Sequence, residues 1–314
     1  ALAAAWKLGI HNYEETLILG IFLGVAGAAF AVALPLASRW YPPEHQGTAL
    51  GIAGAGNSGT ALAALFGPGL AAAYGWTNVF GLALIPLVLV FAYYLIAAKD
   101  SPDQPEPKPL SAYAAVLKEG DAWWFMLFYF VTFGGFVGLS STLPTFYTDS
   151  FEVTPVIAGY CTAAAVFMGS LLRPMGGALA DRFGGIKTLT VVYIVAALLL
   201  AAISQFATSA IAVAVVLFVA TLGALGIGNG AVFQLVPQRF RKEIGLMTGL
   251  VGFGGGIGGF YLASSLGAIK KAMGTAAPGY LIFAALAVIA LIGLTSVKKR
   301  WRTTWGAALQ GARI

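Results

Sequence analysis

The chain has 314 residues, 59% of them hydrophobic and only 10% charged, with a formal net charge of +6. Soluble domains carry about 25% charged residues, so this composition excludes an ordinary soluble enzyme and a disordered chain. The single cysteine, Cys161, excludes a disulfide scaffold and every multi-cysteine metal site, and the glycines follow no collagen-like period.

What remains is an all-α membrane protein. A bilayer core of about 30 Å asks for about 20 apolar residues per helix. Residues 1–16 hold Lys7, His11, Glu14 and Glu15 and do not read as a signal peptide. Three apolar stretches follow, at about 17–38, 47–73 and 76–98. Six more follow at about 122–148, 156–180, 187–206, 209–235, 245–268 and 278–297. They are too long and too uniform to be barrel strands.

Between the two sets lies the one hydrophilic break, Lys99 to Asp121, containing SPDQPEPKP. Its prolines and mixed charges predict an extended linker. The expected organisation is therefore 1–98 as the last three helices of an N-terminal bundle and 99–121 as a cytoplasmic linker. A six-helix bundle over 122–297 and a basic tail over 298–314 complete it. Arg39, Lys99, Lys108, Lys118, Arg182, Lys187, Arg239, Arg241, Lys242 and the tail cations fall on one side of the membrane. Lys7, Lys270 and Lys271 fall on the other. The positive-inside rule makes the first side cytoplasmic, with the C-terminus there. That bias explains the net charge without nucleic acid, which would want a basic face on a soluble domain.

The two sets repeat. Gly47, Gly51, Gly54 and Gly56 recur as Gly245, Gly249, Gly252 and Gly254, and Gly27-Ala-Ala-Phe30 resembles Gly230-Ala-Val-Phe233. Because the second set has six spans and the first three, and the sequence does not begin with Met, the expectation is a piece lacking three spans. Two six-helix halves joined by a cytoplasmic linker is the layout of the major facilitator superfamily, so the expected fold has nine of its twelve helices present. The run Gly176-Gly177-Ala-Leu-Ala-Asp181-Arg182-Phe-Gly-Gly resembles that superfamily's signature loop. Asp181 and Arg182 either latch neighbouring helix ends or form a charged turn at the membrane surface.

Every acid and both histidines lie in loops or at span ends, so the spans offer no site for a cation and no proton relay. Arg173 is the one charge inside a span, eight residues before Asp181 and therefore about 12 Å deeper. It either bonds backbone carbonyls or faces a cavity and waits for an anion. Gly54, Gly56, Gly252 and Gly254 let helices approach closely, or expose backbone to a small ligand. Asn57 can donate its amide to an anion. Phe30 and Phe233 are repeat-related, and Tyr129 shares a helix face with Phe133. No nucleophile–base pair, phosphate loop or metal cluster is visible, so no catalytic residue, metal or cofactor is expected.

The segments RWYPPEHQGTALGIAGAGNSG (Arg39–Gly59), GNGAVFQLVPQRF (Gly228–Phe240), LLRPMGGALADRFGG and GLVGFGGGIGGF resemble the nitrate/nitrite porter family of that superfamily. The resemblance implies a planar anion held between two aromatic rings by one arginine from each half. It makes Arg173 the C-terminal-half arginine, Phe30 and Phe233 the ring pair, and Tyr129 and Asn57 hydrogen-bond donors. Gly255 stands where some members have asparagine, and the N-terminal-half arginine has no counterpart in this sequence. A planar guanidinium suits a flat anion with delocalised charge, since it bonds two oxygens at once. The expected function is alternating-access transport of nitrate or nitrite by a monomer in the cytoplasmic membrane, surrounded by lipid. Transport of another small anion or organic acid, a passive channel, or a non-transporting fragment are the alternatives.

Overall fold

The computed structural model describes residues 1–99, 111–308 and 314. Among these, nine helices are long and apolar enough to cross a membrane. They are α1 (Tyr13–Ser38), α2 (Pro43–Tyr74), α3 (Trp76–Ala97), α4 (Gly120–Phe151), α5 (Pro155–Phe183), α6 (Gly185–Phe206), α7 (Ile211–Arg239), α8 (Ile244–Met273) and α9 (Ala277–Thr303). Each apolar stretch expected from the sequence is one of them. Their ends are local chemistry. Thr154 caps α5 by accepting a bond from the Ile157 N–H, with Pro155 in the first turn. Gly184, at φ 96°, is the single residue between α5 and α6, a backbone conformation that side chains disfavour.

Two helices are less regular than the sequence suggests. α1 breaks at Ala28, just after Gly27, where the Ala28 N–H turns back to the Val25 carbonyl. α2 opens with a 3-10 turn at Pro43–His45 and tightens again at Ala55–Asn57. That second turn divides its glycine-rich half from Ser58–Tyr74.

The core sits among α4 to α9. α7 is buried without interruption from Gly228 to Gln238, whereas α3 buries no residue. Glycine sets the spacing of this core, because without Cβ atoms two backbones can touch. Gly226 lies on the backbone of Gly169, and Gly230 on the Arg173 carbonyl, so α5 and α7 meet directly. α4 meets α8 the same way: a Cβ on Gly134 would stand 2.6 Å from the Gly258 Cα. α2 reaches the core through α5, with Gly47 against Gly177, Gly51 against Pro174 and Ala64 against Gly159, and also through α7, where Gly47 meets Gln234.

A charged knot closes one end of this core. Asp121 on α4 accepts bonds from Arg239 Nε at 2.8 Å, from Trp301 Nε1 at 2.8 Å and from Arg300 Nη2. Glu119 takes the other face of Arg239 at 2.9 Å. Arg239 and Arg300 are thus committed to structure rather than to a free basic rim.

The linker and tail differ from expectation where they are described. The proline-rich stretch 101–109 lies outside the described residues. The segment beyond it is not extended, since Ser111–Leu117 is helical and Val116 is buried. The first cations of the tail belong to α9, which runs to Thr303, and Ile314 packs on Gly184 and Gly306. Apolar residues at 112, 116 and 117 find cover on the core, which offsets the entropy of ordering them.

Candidate functional site

The site is built on α5, and it starts from a proline. Pro174 has no N–H to return to Ser170, which loosens the helix at the residue carrying Arg173. Gly51 and Gly54 on α2 have no Cβ, and a Cβ on Gly54 would overlap Nε, Cζ and Nη2 of Arg173. The guanidinium therefore lies flat against the α2 backbone, and Arg173 is only 1% exposed.

Four aromatic rings enclose it. The guanidinium carbon is 5.3 Å from the ring centroid of Phe30, 5.6 Å from Phe233, and 5.9 Å from both Tyr129 and Phe133. Tyr129 and Phe133 stack at 4.8 Å with an interplanar angle of 4°. Their spacing on one face of α4 gives this stack, and Gly255 on α8 makes room, since a Cβ there would stand 2.6 Å from Tyr129 and 2.8 Å from Phe133.

The electrostatics are unbalanced. Arg173 Nη2 donates to Tyr129 Oη at 3.0 Å. Nε and Nη1 are buried with no hydrogen-bond partner. Each cation–π contact returns about 2 kcal/mol or more when desolvated. Removing an ion from water costs several kcal/mol even after relaxation. The rings soften that cost and leave two N–H donors, Nε and Nη1, for an acceptor. Because Arg173 donates to the tyrosine oxygen, the Tyr129 proton is also free to be given to the same acceptor.

The same helix end carries a latch. Asp181 accepts from the N–H groups of Gly47 at 3.1 Å and Thr48 at 2.9 Å, and from the Thr48 hydroxyl at 2.9 Å. It caps the first turn of the helix Gln46–Gly54 from another segment, where an anion also suits the helix dipole. Gly177 lets α5 reach Gly47, and Gly176 rests on Ile227 of α7. Arg182 is exposed, with its guanidinium 5.1 Å from the Phe183 ring.

The structure thus brings Arg173, Phe30, Phe233, Tyr129 and Gly54 together. Gly252 borders the group, with a Cβ position 3.7 Å from Phe30. Gly254 and Gly56 have other surroundings, and Asn57 makes no hydrogen bond to the guanidinium. Gly254 packs on Met126 of α4, Gly56 is exposed with nothing near it, and Asn57 is half-buried in the 3-10 turn beyond Gly54. The ring pair is also different from expectation. Phe30 and Phe233 meet edge to face at 5.6 Å and 77°, closer than the about 7 Å that a flat layer between two parallel rings needs, and both also face the guanidinium. Phe133 was visible as the partner of Tyr129 on one face, but Gly47 and Thr48 carry no sequence signal as acceptors' partners, because their backbone does the work.

The sequence profile of the Major Facilitator Superfamily matches residues 1–263. The chain is similar to the "Nitrite extrusion protein" of Bacillus subtilis (strain 168), at 33% identity over 273 residues, 87% of this chain and 69% of that one. It is similar to the "Probable nitrate transporter NarT" of Staphylococcus epidermidis at 33% over 294 residues, 90% of this chain and 73% of that one. The chain belongs to the nitrate/nitrite porter family of the Major Facilitator Superfamily. Its helices also resemble a crystal structure of the E. coli fucose:proton symporter FucP, with a TM-score of 0.69 and 19% identity, over 94% of this chain and 79% of that one. At that identity the likeness concerns the superfamily fold alone. A porter of this fold is a multi-pass membrane protein.

Proposed function

We propose that this chain carries nitrate or nitrite across the cytoplasmic membrane by alternating access, with the anion seated on Arg173. The observation that carries the reading is the guanidinium itself, fully buried, with Nε and Nη1 unpaired and no carboxylate among its partners. A flat monoanion can take one of these N–H groups together with the second Nη2 hydrogen as a parallel pair. Tyr129 gives it a third donor, and the ring edges and faces of Phe30, Phe133 and Phe233 supply dispersion and a positive rim. Sulfate and phosphate carry more charge than one guanidinium balances.

The helices before the linker and those from α4 onward are the two parts that rock. The Asp181 latch fastens α5 to α2 at the end where the basic residues gather, and the positive-inside rule makes that end cytoplasmic. Breaking its three bonds is the event that opens the site inward. Arg173, Tyr129 and the phenylalanine rings all come from one copy, which supports a monomer as the working unit.

The test is anion binding to the purified protein, read as a shift of its melting temperature. Nitrate and nitrite raise it, sulfate does not, and Arg173→Lys removes the nitrate effect. A nitrate shift that survives Arg173→Lys overturns the reading.

A further inference from the structure

Hydroxyls inside membrane helices ordinarily bond the carbonyl four residues back. Thr162 does so to Ala158 at 2.8 Å, Thr190 to Ile186 at 2.8 Å and Thr221 to Leu217 at 2.7 Å. Thr132 on α4 does not. Its usual acceptor, the Phe128 carbonyl, is taken by the Tyr193 hydroxyl of α6 at 3.1 Å. Thr132 is 0% exposed and its Oγ1 has no partner.

Asn229 on α7 stands in the same position: 2% exposed, with Oδ1 unpaired. Helix geometry puts the two at a similar level. Thr132 lies one turn beyond Tyr129, and Asn229 one turn before Phe233, on helices that run in opposite directions. The Tyr129 and Phe233 rings touch, at 4.9 Å and 88°. The Thr132 methyl also lies against Gly228, the neighbour of Asn229, where a Cβ would be 2.7 Å away.

We propose that Thr132 Oγ1 and Asn229 Oδ1 hold one internal water that ties α4 to α7 behind the Tyr129–Phe233 contact. The chemistry selects water over an anion. Asn229 Oδ1 only accepts, so its partner must donate, while the hydroxyl accepts or donates. Water does both and needs two polar partners at least. At membrane depth an oxygen left alone is strongly unfavourable, and the Tyr193 bond is what frees Thr132 for the task. The tie makes Thr132 and Asn229 positioning residues for the ring cage, with no contact to the anion.

The test is a double-mutant cycle on the full chain in detergent, in anion-free buffer, so that its outcome is separate from the transport reading. With the water tie, Thr132→Val and Asn229→Leu each lower the melting temperature by a few degrees. Thr132→Ser stays at the wild-type value, and the double variant loses less than the sum. A dry orphan gives the opposite sign, because removing it relieves a penalty: a raised or unchanged melting temperature in Thr132→Val, or strictly additive losses, overturns the proposal. In nitrate titrations Thr132→Val raises the half-saturating concentration several-fold and Thr132→Ser does not. An unchanged value in Thr132→Val overturns the positioning role.

Discussion

α2 and α8 carry the same glycine spacing and use it differently. On α2, Gly51 sits on the backbone of Pro174 and Arg173, and Gly54 on the guanidinium, so both are occupied by α5. On α8 the repeat-related Gly249 and Gly252 meet only Ala31 and Phe30, both 3.7 Å from the Cβ position. One pattern seats a charged side chain against bare backbone; the other leaves room for ordinary van der Waals contact. A glycine motif therefore marks where close approach is allowed, and the partner decides whether it becomes a site.

The contrast can be broken at its centre first. Arg173→Lys keeps the charge but loses the fork, and anion affinity falls on the order of 100-fold in binding titrations. Next, Gly54→Ala puts a methyl into the guanidinium and lowers affinity by about tenfold or more, one to two hydrogen bonds' worth. The matched Gly252→Ala leaves affinity within about twofold, as expected for a substitution without a clash. Equal effects of the two alanines would erase the distinction between the helices. Tyr129→Phe removes the oxygen that accepts from Arg173 and the proton offered to the anion, for a loss of about tenfold. Asp181→Asn acts on the latch rather than on the seat. It weakens charge-assisted bonds by about 1–2 kcal/mol, and spin-label distances between α2 and α5 at the Asp181 end shift toward the open population.

How much of this was legible in the sequence depends on whether side chain or backbone does the work. All nine spans follow from apolar length, and Arg173 declares itself by being the one charge within them. Tyr129 with Phe133 follows from helical spacing, and Phe30 with Phe233 from the repeat. The edge-to-face contact of that pair was not legible, because ring orientation depends on the guanidinium lying between α1, α4 and α7. Gly254 and Gly56 share the spacing of Gly54 and look equivalent as letters, yet one faces Met126 and the other faces outward. Asp121 gave no sign of its role either. It reads as a surface acid next to a linker, and only the arrival of Arg239, Arg300 and Trp301 makes it a buried node.

That node has a consequence for biogenesis. The Asp121 carboxylate waits for Arg239 across 118 positions of chain and for Trp301 across 180. The full set of bonds to Asp121 can therefore form only after the last of the six helices from α4 to α9 has been made.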